Sequence, residues 1–413
     1  MKKLLAMLLL CATLLSLFTG CQNQSATETS ASNELAGTYS VTLWVSEVDG
    51  VAALTKKQIE DFQAAHPNIR IKVSIEGVAE GDAANKILTD VASAPDIYCF
   101  AQDQLARLVQ AAALAQPGQQ ARKYIRENND DASVEAASVA GQIYAYPLTA
   151  DNGYYMYYDK SIISNPDDLD AIIADCEAHD KKLRFGLEDA WFMASFFFAT
   201  GCRSQWNMNA RGQFTGVKDN FNSPEGLIAM QAMQKLSQSK AYDANNNIFT
   251  DAAVVITGIW NANAAQAHFG KNLGATDLPS FTVNGKSYHL GSFTGNKLMG
   301  IRPQYDPKKA AVLSLLVQYL TGETCQLERY EKFQWGPSNL AAQKSPEVAK
   351  NVSLSALSKQ KEYAVLQGQI HGSWWDIAKV LGAQAKAAKS TQDLQKALTD
   401  YEAAITGLLP HEN

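Results

Sequence analysis

Four carboxylates and several large rings fall just beyond stretches of strand-like or extended sequence. Glu47 follows a first such stretch, and Phe100, Gln102 and Asp103 cluster at the end of a third. Asp151 follows YAYPLTA, Asp189 and Trp191 lie two residues apart, and Trp260 closes VVITGIW. In open parallel sheets, ligands sit beyond the carboxyl ends of the strands. A flat aromatic face beside carboxylates suits a sugar. The apolar C–H face of a pyranose stacks on the ring, while its hydroxyls donate to the carboxylates. A second aromatic signal is HGSWWDIAK, His371 to Lys379. If this stretch is helical, neighbouring residues point about 100° apart, so one of Trp374 and Trp375 can enter the core while the other cannot easily follow.

Other chemistry has no foothold. There is no G-x-S-x-G elbow, HExxH pair, P-loop or G-x-G-x-x-G fingerprint. The 6 histidines have no zinc-like spacing, and no cofactor is implied. Acidic pairs such as Asp167-Asp168 and Glu188-Asp189 read as helix starts or solvated faces. With 36 basic against 42 acidic residues, the net charge of −6 offers no basic patch, so nucleic acid is excluded as a partner.

The elements that must position these residues alternate along the first part of the chain. Tyr39–Val45 reads as a strand, Ala52–Ala65 as a helix ended by His66-Pro67, and Ile69–Ile75 as a second strand. Asp82–Ala92 is a second helix, Asp96–Phe100 a third strand and Gln102–Ala113 a third helix. Strands alternating with helices predict a parallel sheet covered on both faces. Ile143–Thr149 and Tyr154–Tyr158 are extended stretches joined through Asp151-Asn152-Gly153, and Ala190–Gly201 is apolar enough for a buried helix. Asn165-Pro166-Asp167, Ser223-Pro224-Glu225 and Asp306-Pro307 start helices. Ala252–Trp260 is a helix or strand turning at Gly258. In the last helix, Ser390 and Asp393 make a capping-box-like start to an apolar stripe of Leu394, Leu398, Tyr401, Ile405 and Leu408.

The chain length of 413 residues predicts two domains or one two-lobed body. Lys2 and Lys3 precede an apolar run, Leu4 to Phe18, and then Phe18-Thr19-Gly20-Cys21. This is a secretory signal, too short for a membrane span. It resembles a bacterial lipoprotein signal, which implies lipidation of Cys21 and residence on the outer face of the cell membrane. Gln22 to Ala36 reads as a flexible tether. Cys99, Cys176, Cys202 and Cys325 would remain in the body, where Cys176 with Cys202 is the first candidate disulfide and four buried thiols the alternative.

Six segments in order resemble the maltose/maltodextrin-binding proteins of ATP-driven sugar importers, within the broader class of extracellular solute-binding proteins. They are VTLWV (Val41–Val45), APDIYCFAQD (Ala94–Asp103), GQIYAYPLTADNGYYMYYDK (Gly141–Lys160), TGIWNANAA (Thr257–Ala265), LPSFTVNGK (Leu278–Lys286) and GSWWDIAK (Gly372–Lys379). The resemblance implies an α/β, two-lobed fold, each lobe a mainly parallel sheet flanked by helices, with a sugar cleft between lobes that closes by a hinge. It implies discontinuous lobes: 37–149 with 295–334, and 150–294 with 335–413. It places Glu47 in a polar ligand loop, Asp103 at a hydroxyl-binding position, Asp151 at a Glu of the crossover, Asp189 at another Glu of the site, and Trp191, Trp260 and Trp375 at stacking positions. Phe100 stands where a stacking Trp is common, Gln102 replaces a His, and Lys379 stands where an Arg is found. The implied partners are an oligosaccharide and the membrane subunits of an importer, and the implied state is a monomer.

Two other readings share these residues. A secreted glycoside hydrolase would use two of Asp103, Asp151 and Asp189, with carboxyls roughly 5–9.5 Å apart. A related receptor could carry a metal or anion, for which the run YYMYY (Tyr154–Tyr158) offers phenolic oxygens. Alternation would send Tyr155 and Tyr157 to one face and leave them as core aromatics.

Overall fold

The computed structural model describes residues 34–209, 213–368 and 370–408. The expected signal segment (1–20), Cys21 and nearly all of the tether lie outside these residues. Ten strands form the two principal sheets: β1 (Gly37–Val45), β2 (Ile69–Gly77), β3 (Ile97–Ala101), β4 (Tyr146–Thr149), β5 (Tyr155–Asp159), β6 (Lys182–Arg184), β7 (Tyr242–Asp243), β8 (Ala252–Thr257), β9 (Leu273–Thr276) and β10 (Lys297–Ile301).

The first sheet has the order β2-β1-β3-β10-β4 and the second β7-β6-β8-β5-β9. In each, the fourth strand alone runs against its neighbours. The cause is topological. Helices return the chain between β1, β2 and β3, which makes those strands parallel. β10 and β5 instead arrive directly from the other lobe and enter their sheets in the opposite sense. The two sheets are the cores of two lobes, and the lobes exchange one strand each.

Strand alternation sorts the cores. In β3, Ile97 and Cys99 face one apolar cluster while Tyr98 and Phe100 face another. In β5, Met156 joins the large cluster of the second lobe, while Tyr155 and Tyr157 bond each other through their hydroxyls on the opposite face. Tyr157 also donates to Ser353 at 3.1 Å. The YYMYY run is therefore core, and among the described residues no group of three or more His, Cys, Asp or Glu is placed to hold a metal ion.

Several local expectations are met closely. The helix Val51–Ala65 stops at His66, whose N–H returns to Phe62. Ala190–Ala199 is a helix buried on nearly every side. The final helix, Thr391–Thr406, opens with a reciprocal capping box between Ser390 and Asp393. Ala252–Thr257 resolves as a fully buried strand.

Two expectations change. Cys176 and Cys202 are not paired; all four described cysteines are buried free thiols. The small apolar side chains of Cys176 and Cys202 fill the second lobe's core, where Cys202 also faces the Ser223 hydroxyl at 3.7 Å. The second lobe was expected to resume at Trp335, yet the following residues stay with the first. Trp335 packs with Phe333 and Leu316. Gln326 accepts from Ser338 N at 2.7 Å, and Tyr330 donates to the Glu347 carbonyl. A buried Trp cannot leave its cluster without exposing a large apolar surface, so the chain crosses later. It joins the second lobe with the helix Val352–Gln360, where Leu357 packs beside Tyr155.

Gly382, in the helix Val380–Ala387, provides a check on this packing. A methyl group there would lie 1.7 Å from the Leu187 carbonyl oxygen. Helix propensity alone favours Gly→Ala by about 1 kcal/mol. The contact reverses the sign, and Gly382→Ala is expected to lower stability by roughly 1–3 kcal/mol. The measurement is the urea midpoint at unchanged m-value; a midpoint at or above wild type would contradict this packing.

Candidate functional site

A cavity of about 530 Å³ lies between the lobes at the carboxyl ends of the first sheet's parallel strands. One wall is aromatic and comes from the second lobe. Asp189 caps the helix Ala190–Ala199 by accepting from Trp191 N at 2.9 Å, which places Trp191 on the first turn, facing the cavity. Its ring is braced edge-on by Tyr154 at 4.7 Å and lies 5.7 Å from Trp260. The Trp191 indole nitrogen is buried without a hydrogen-bond partner. Trp260 stands on a single 3-10 turn after β8, folded back over Gly258. Any side chain at Gly258 would sit about 2.0 Å from the Trp260 ring, so the ring's placement requires glycine.

The two adjacent tryptophans separate as helical geometry demands. Trp374 is 1% exposed and donates to the Tyr401 hydroxyl at 2.9 Å; Tyr401 in turn donates to Asp219. Trp375 turns the other way, against Phe293 at 5.7 Å and into the cavity.

The opposite wall, from the first lobe, is polar. Asp103 sits on a short 3-10 turn directly after β3 and lines the cavity. Burial pushes its carboxyl up to about 6, while its own backbone N–H, the Arg107 charge and the Trp375 indole N–H pull the other way. The last of these contacts spans the two lobes. Glu47 lies exposed at the rim on the loop after β1.

Four of the expected residues lie elsewhere. Phe100 is fully buried: within β3 it shares a face with Tyr98, and only the strand's end reaches the cleft. Gln102 is turned toward the chain crossing, where its backbone N–H donates to the Asn296 carbonyl and its amide oxygen accepts from Asn296 N, both at 3.1 Å. Asp151, 2% exposed, accepts from Gly336 N at 2.6 Å and so ties the first crossing to the first-lobe segment after Trp335. Lys379 is exposed and pairs with Asp376 at 2.7 Å. It does not line the cavity; Asp376 does.

The family model for bacterial extracellular solute-binding proteins matches residues 57–356. The chain belongs to this family. A sequence search of curated proteins finds no significant match. Among solved structures, this solute-binding protein resembles the maltodextrin-binding protein MalE1 from L. casei BL23. That match has a TM-score of 0.76 and 21% identity, and covers 90% of this chain and 99% of that one. It also resembles the GacH receptor of Streptomyces glaucescens GLA.O, solved unliganded and with acarbose, at TM-score 0.74 and 18% identity, covering 91% and 99%. A further neighbour, solved with acarbose, has TM-score 0.79 and 23% identity, covering 91% and 100%. At these identities the likeness is one of fold.

Sequence reasoning missed several cavity residues of this solute-binding protein. Glu80 lies on the loop after β2, Arg107 on the helix Leu105–Gln110, and Lys297 opens β10. Asn152 and Gln367 face each other at 3.0 Å where the crossings meet. A Lys at the head of a strand carries no sequence signal, because alternation alone does not say which end of the strand meets the cleft.

The split between the two tryptophans is testable through stability. Trp374→Ala should cost roughly 3–5 kcal/mol, since it removes a filled core position and takes away the donor to the buried Tyr401 oxygen. Trp375→Ala, only half-buried, should cost under about 1.5 kcal/mol. Chemical denaturation of the two variants decides it; equal losses would place both rings in the core.

Proposed function

We propose that this protein is a lipid-anchored extracellular receptor that binds an oligosaccharide of the maltodextrin type in the interlobe cleft and delivers it to a membrane permease. One observation carries the reading: Trp191, Trp260 and Trp375 form an aromatic wall that faces a buried carboxylate, Asp103, from the opposite lobe. Stacking holds the faces of pyranose rings, and the carboxylate accepts their hydroxyls. The neighbours whose descriptions name maltodextrin or acarbose support the same class of ligand. Attachment through Cys21 and transfer to a permease rest on the sequence resemblance. Cleft closure would signal occupancy, because a permease can respond only to contacts that differ between open and closed states. The site needs no cofactor, and the receptor would work as a monomer. A hydrolytic reading has lost one of its three carboxylates, since Asp151 is committed to the chain crossings.

The first test is intrinsic tryptophan fluorescence, titrated with maltose, maltotriose, longer maltodextrins and non-glucan oligosaccharides. A saturable change, abolished in Trp260→Ala and Trp375→Ala, is the expected outcome. Sugar consumed during the titration would sink the receptor reading in favour of a hydrolase, and silence toward every glucan would remove the maltodextrin assignment.

The raised Asp103 carboxyl adds a pH dependence with a definite sign. The folded protein holds this proton more tightly than the unfolded chain. From this group, stability is therefore fully present below the ordinary aspartate range and lost as pH rises through about 6. Sugar binding should run the opposite way, because hydroxyls donate to the ionised form. Affinity is expected to fall about tenfold between pH 7 and pH 5, as the ionised fraction drops. Asp103→Asn should flatten that profile; a slope that persists in the variant would assign it to another group.

A further inference from the structure

Two charged side chains at the floor of the cleft have no role in the account so far. Lys297 and Glu80 are each 9% exposed, both line the cavity, and Lys297 Nζ lies 3.2 Å from Glu80 Oε1. Lys297 is the first residue of β10, the reversed strand of its sheet. It therefore pairs with Ala101 and Thr149, the last residues of β3 and β4. That register puts its side chain at the sheet edge where a ligand sits. Glu80 is fixed by its loop: its carbonyl accepts from Ala101 N, and Val78 N, two residues earlier, donates to Val45.

The pair is chemically incomplete. Lysine carries three donors and no acceptor. One side of the ammonium meets Glu80, another lies over the Trp335 ring at 4.7 Å, and the rest faces the cavity. Glu80 Oε1 is buried and accepts no aligned hydrogen bond; Lys297 is its sole charged neighbour among the described ion pairs. Burial pulls the Lys297 ammonium down, but Glu80 and Asp151 more than offset this and hold it above its usual value. It stays a charged donor. A buried ion pair is weak as a stability device, since desolvation costs about as much as the attraction returns. Here it leaves donor and acceptor capacity open to the interlobe cavity that both side chains line.

We propose that Glu80 and Lys297 act together as a specificity-determining pair that reads two adjacent hydroxyls of the deepest sugar ring, Lys297 donating to one oxygen and Glu80 accepting from its neighbour. The ligand class is a saccharide with vicinal hydroxyls at that position. This rests on the receptor reading above and adds to it the part of the floor that discriminates between rings.

The experiment uses maltotriose and its singly deoxygenated analogues, titrated into wild type, Lys297→Met, Glu80→Gln and the double variant Glu80→Gln/Lys297→Met. In wild type, at least one deoxy position should weaken binding by roughly 10–100-fold, the worth of a hydrogen bond to a charged group. In Lys297→Met, maltotriose itself should weaken by a similar factor, and that deoxy analogue should bind no worse than maltotriose. The double variant removes both charges together, so it keeps the test open if Lys297→Met, with Glu80 left buried and unpaired, does not fold. Equal weakening of all analogues in the variants would reduce the pair to a structural role and overturn the proposal. So would affinities within about threefold of wild type, well below the worth of a charged hydrogen bond. Wild type that binds no maltotriose would instead overturn the receptor reading, and the proposal with it, an outcome the unmutated control separates from the others.

Discussion

The architecture depends on how buried backbone is satisfied where the chain passes between lobes. Backbone N–H and C=O groups cannot be left unpaired in a dry junction. Here the first two crossings pair with each other and with the first-lobe segment at Gly336. Ala150 N donates to the Gly336 carbonyl, Asn152 N to the Gly295 carbonyl, and Gly336 N to the Asp151 carboxylate. Asn296 extends the clasp by donating through its amide to Ser133 and to the Thr149 carbonyl. Gly336 is required because any Cβ there would lie 2.8 Å from that of Asp151. The strand exchange follows from the same junction, since β5 and β10 both leave it directly and enter their sheets reversed.

A junction stitched in this way would hold the lobes together if they turned about it. The cleft lies just above it, between Lys297 on one side and Asn152 and Gln367 on the other. Groups far from the junction move most on closure. Among these, Arg107 already packs across the cleft on Gly372, whose Cβ position lies 2.9 Å from the guanidinium. Trp375 reaches Asp103 from the far lobe. These contacts exist only for a limited range of lobe angles. They are the terms through which an occupant could favour one angle over another.

Much of this was legible in the sequence, and the boundaries of legibility have physical causes. Alternation and capping identified β1 to β3, the helix Val51–Ala65 and the final capping box, because local chemistry fixes those elements. Asp103, Trp191, Trp260 and Trp375 were legible as cavity residues, through strand ends and the resemblance. Phe100 was misplaced by a single residue: the strand runs one position further, to Ala101, so the ring lies inside a sheet covered on both faces rather than at its end. Asp151 and Gln102 were read as ligand groups because polar residues at a strand end can serve either a ligand or the backbone. Only the partner segments, Gly336 and Asn296, reveal which, and these lie more than a hundred residues away. Glu80 and Lys297 went unseen for the same reason. Each is ordinary in its own segment, and their pairing is created by a strand that enters from the other lobe.

The site divides its chemistry between lobes. All three cavity tryptophans come from the second lobe. Its two carboxylates there already have partners: Asp189 holds the Trp191 N–H, and Asp376 is paired with Lys379. The first lobe supplies Asp103, Arg107, Glu80 and Lys297, groups whose hydrogen bonding is directional. Stacking tolerates sliding and rotation of a ring, whereas hydrogen bonds lose strength within a few tenths of an ångström and tens of degrees. A sugar meeting the open cleft would therefore be held first by the aromatic lobe with little demand on its hydroxyl pattern. Discrimination would come as the polar lobe closes over it and each hydroxyl finds, or fails to find, its partner. On the proposed function, a ring that fits poorly would still be captured but would not stabilise the closed state, so selectivity would be exercised in the conformational step rather than in the first encounter.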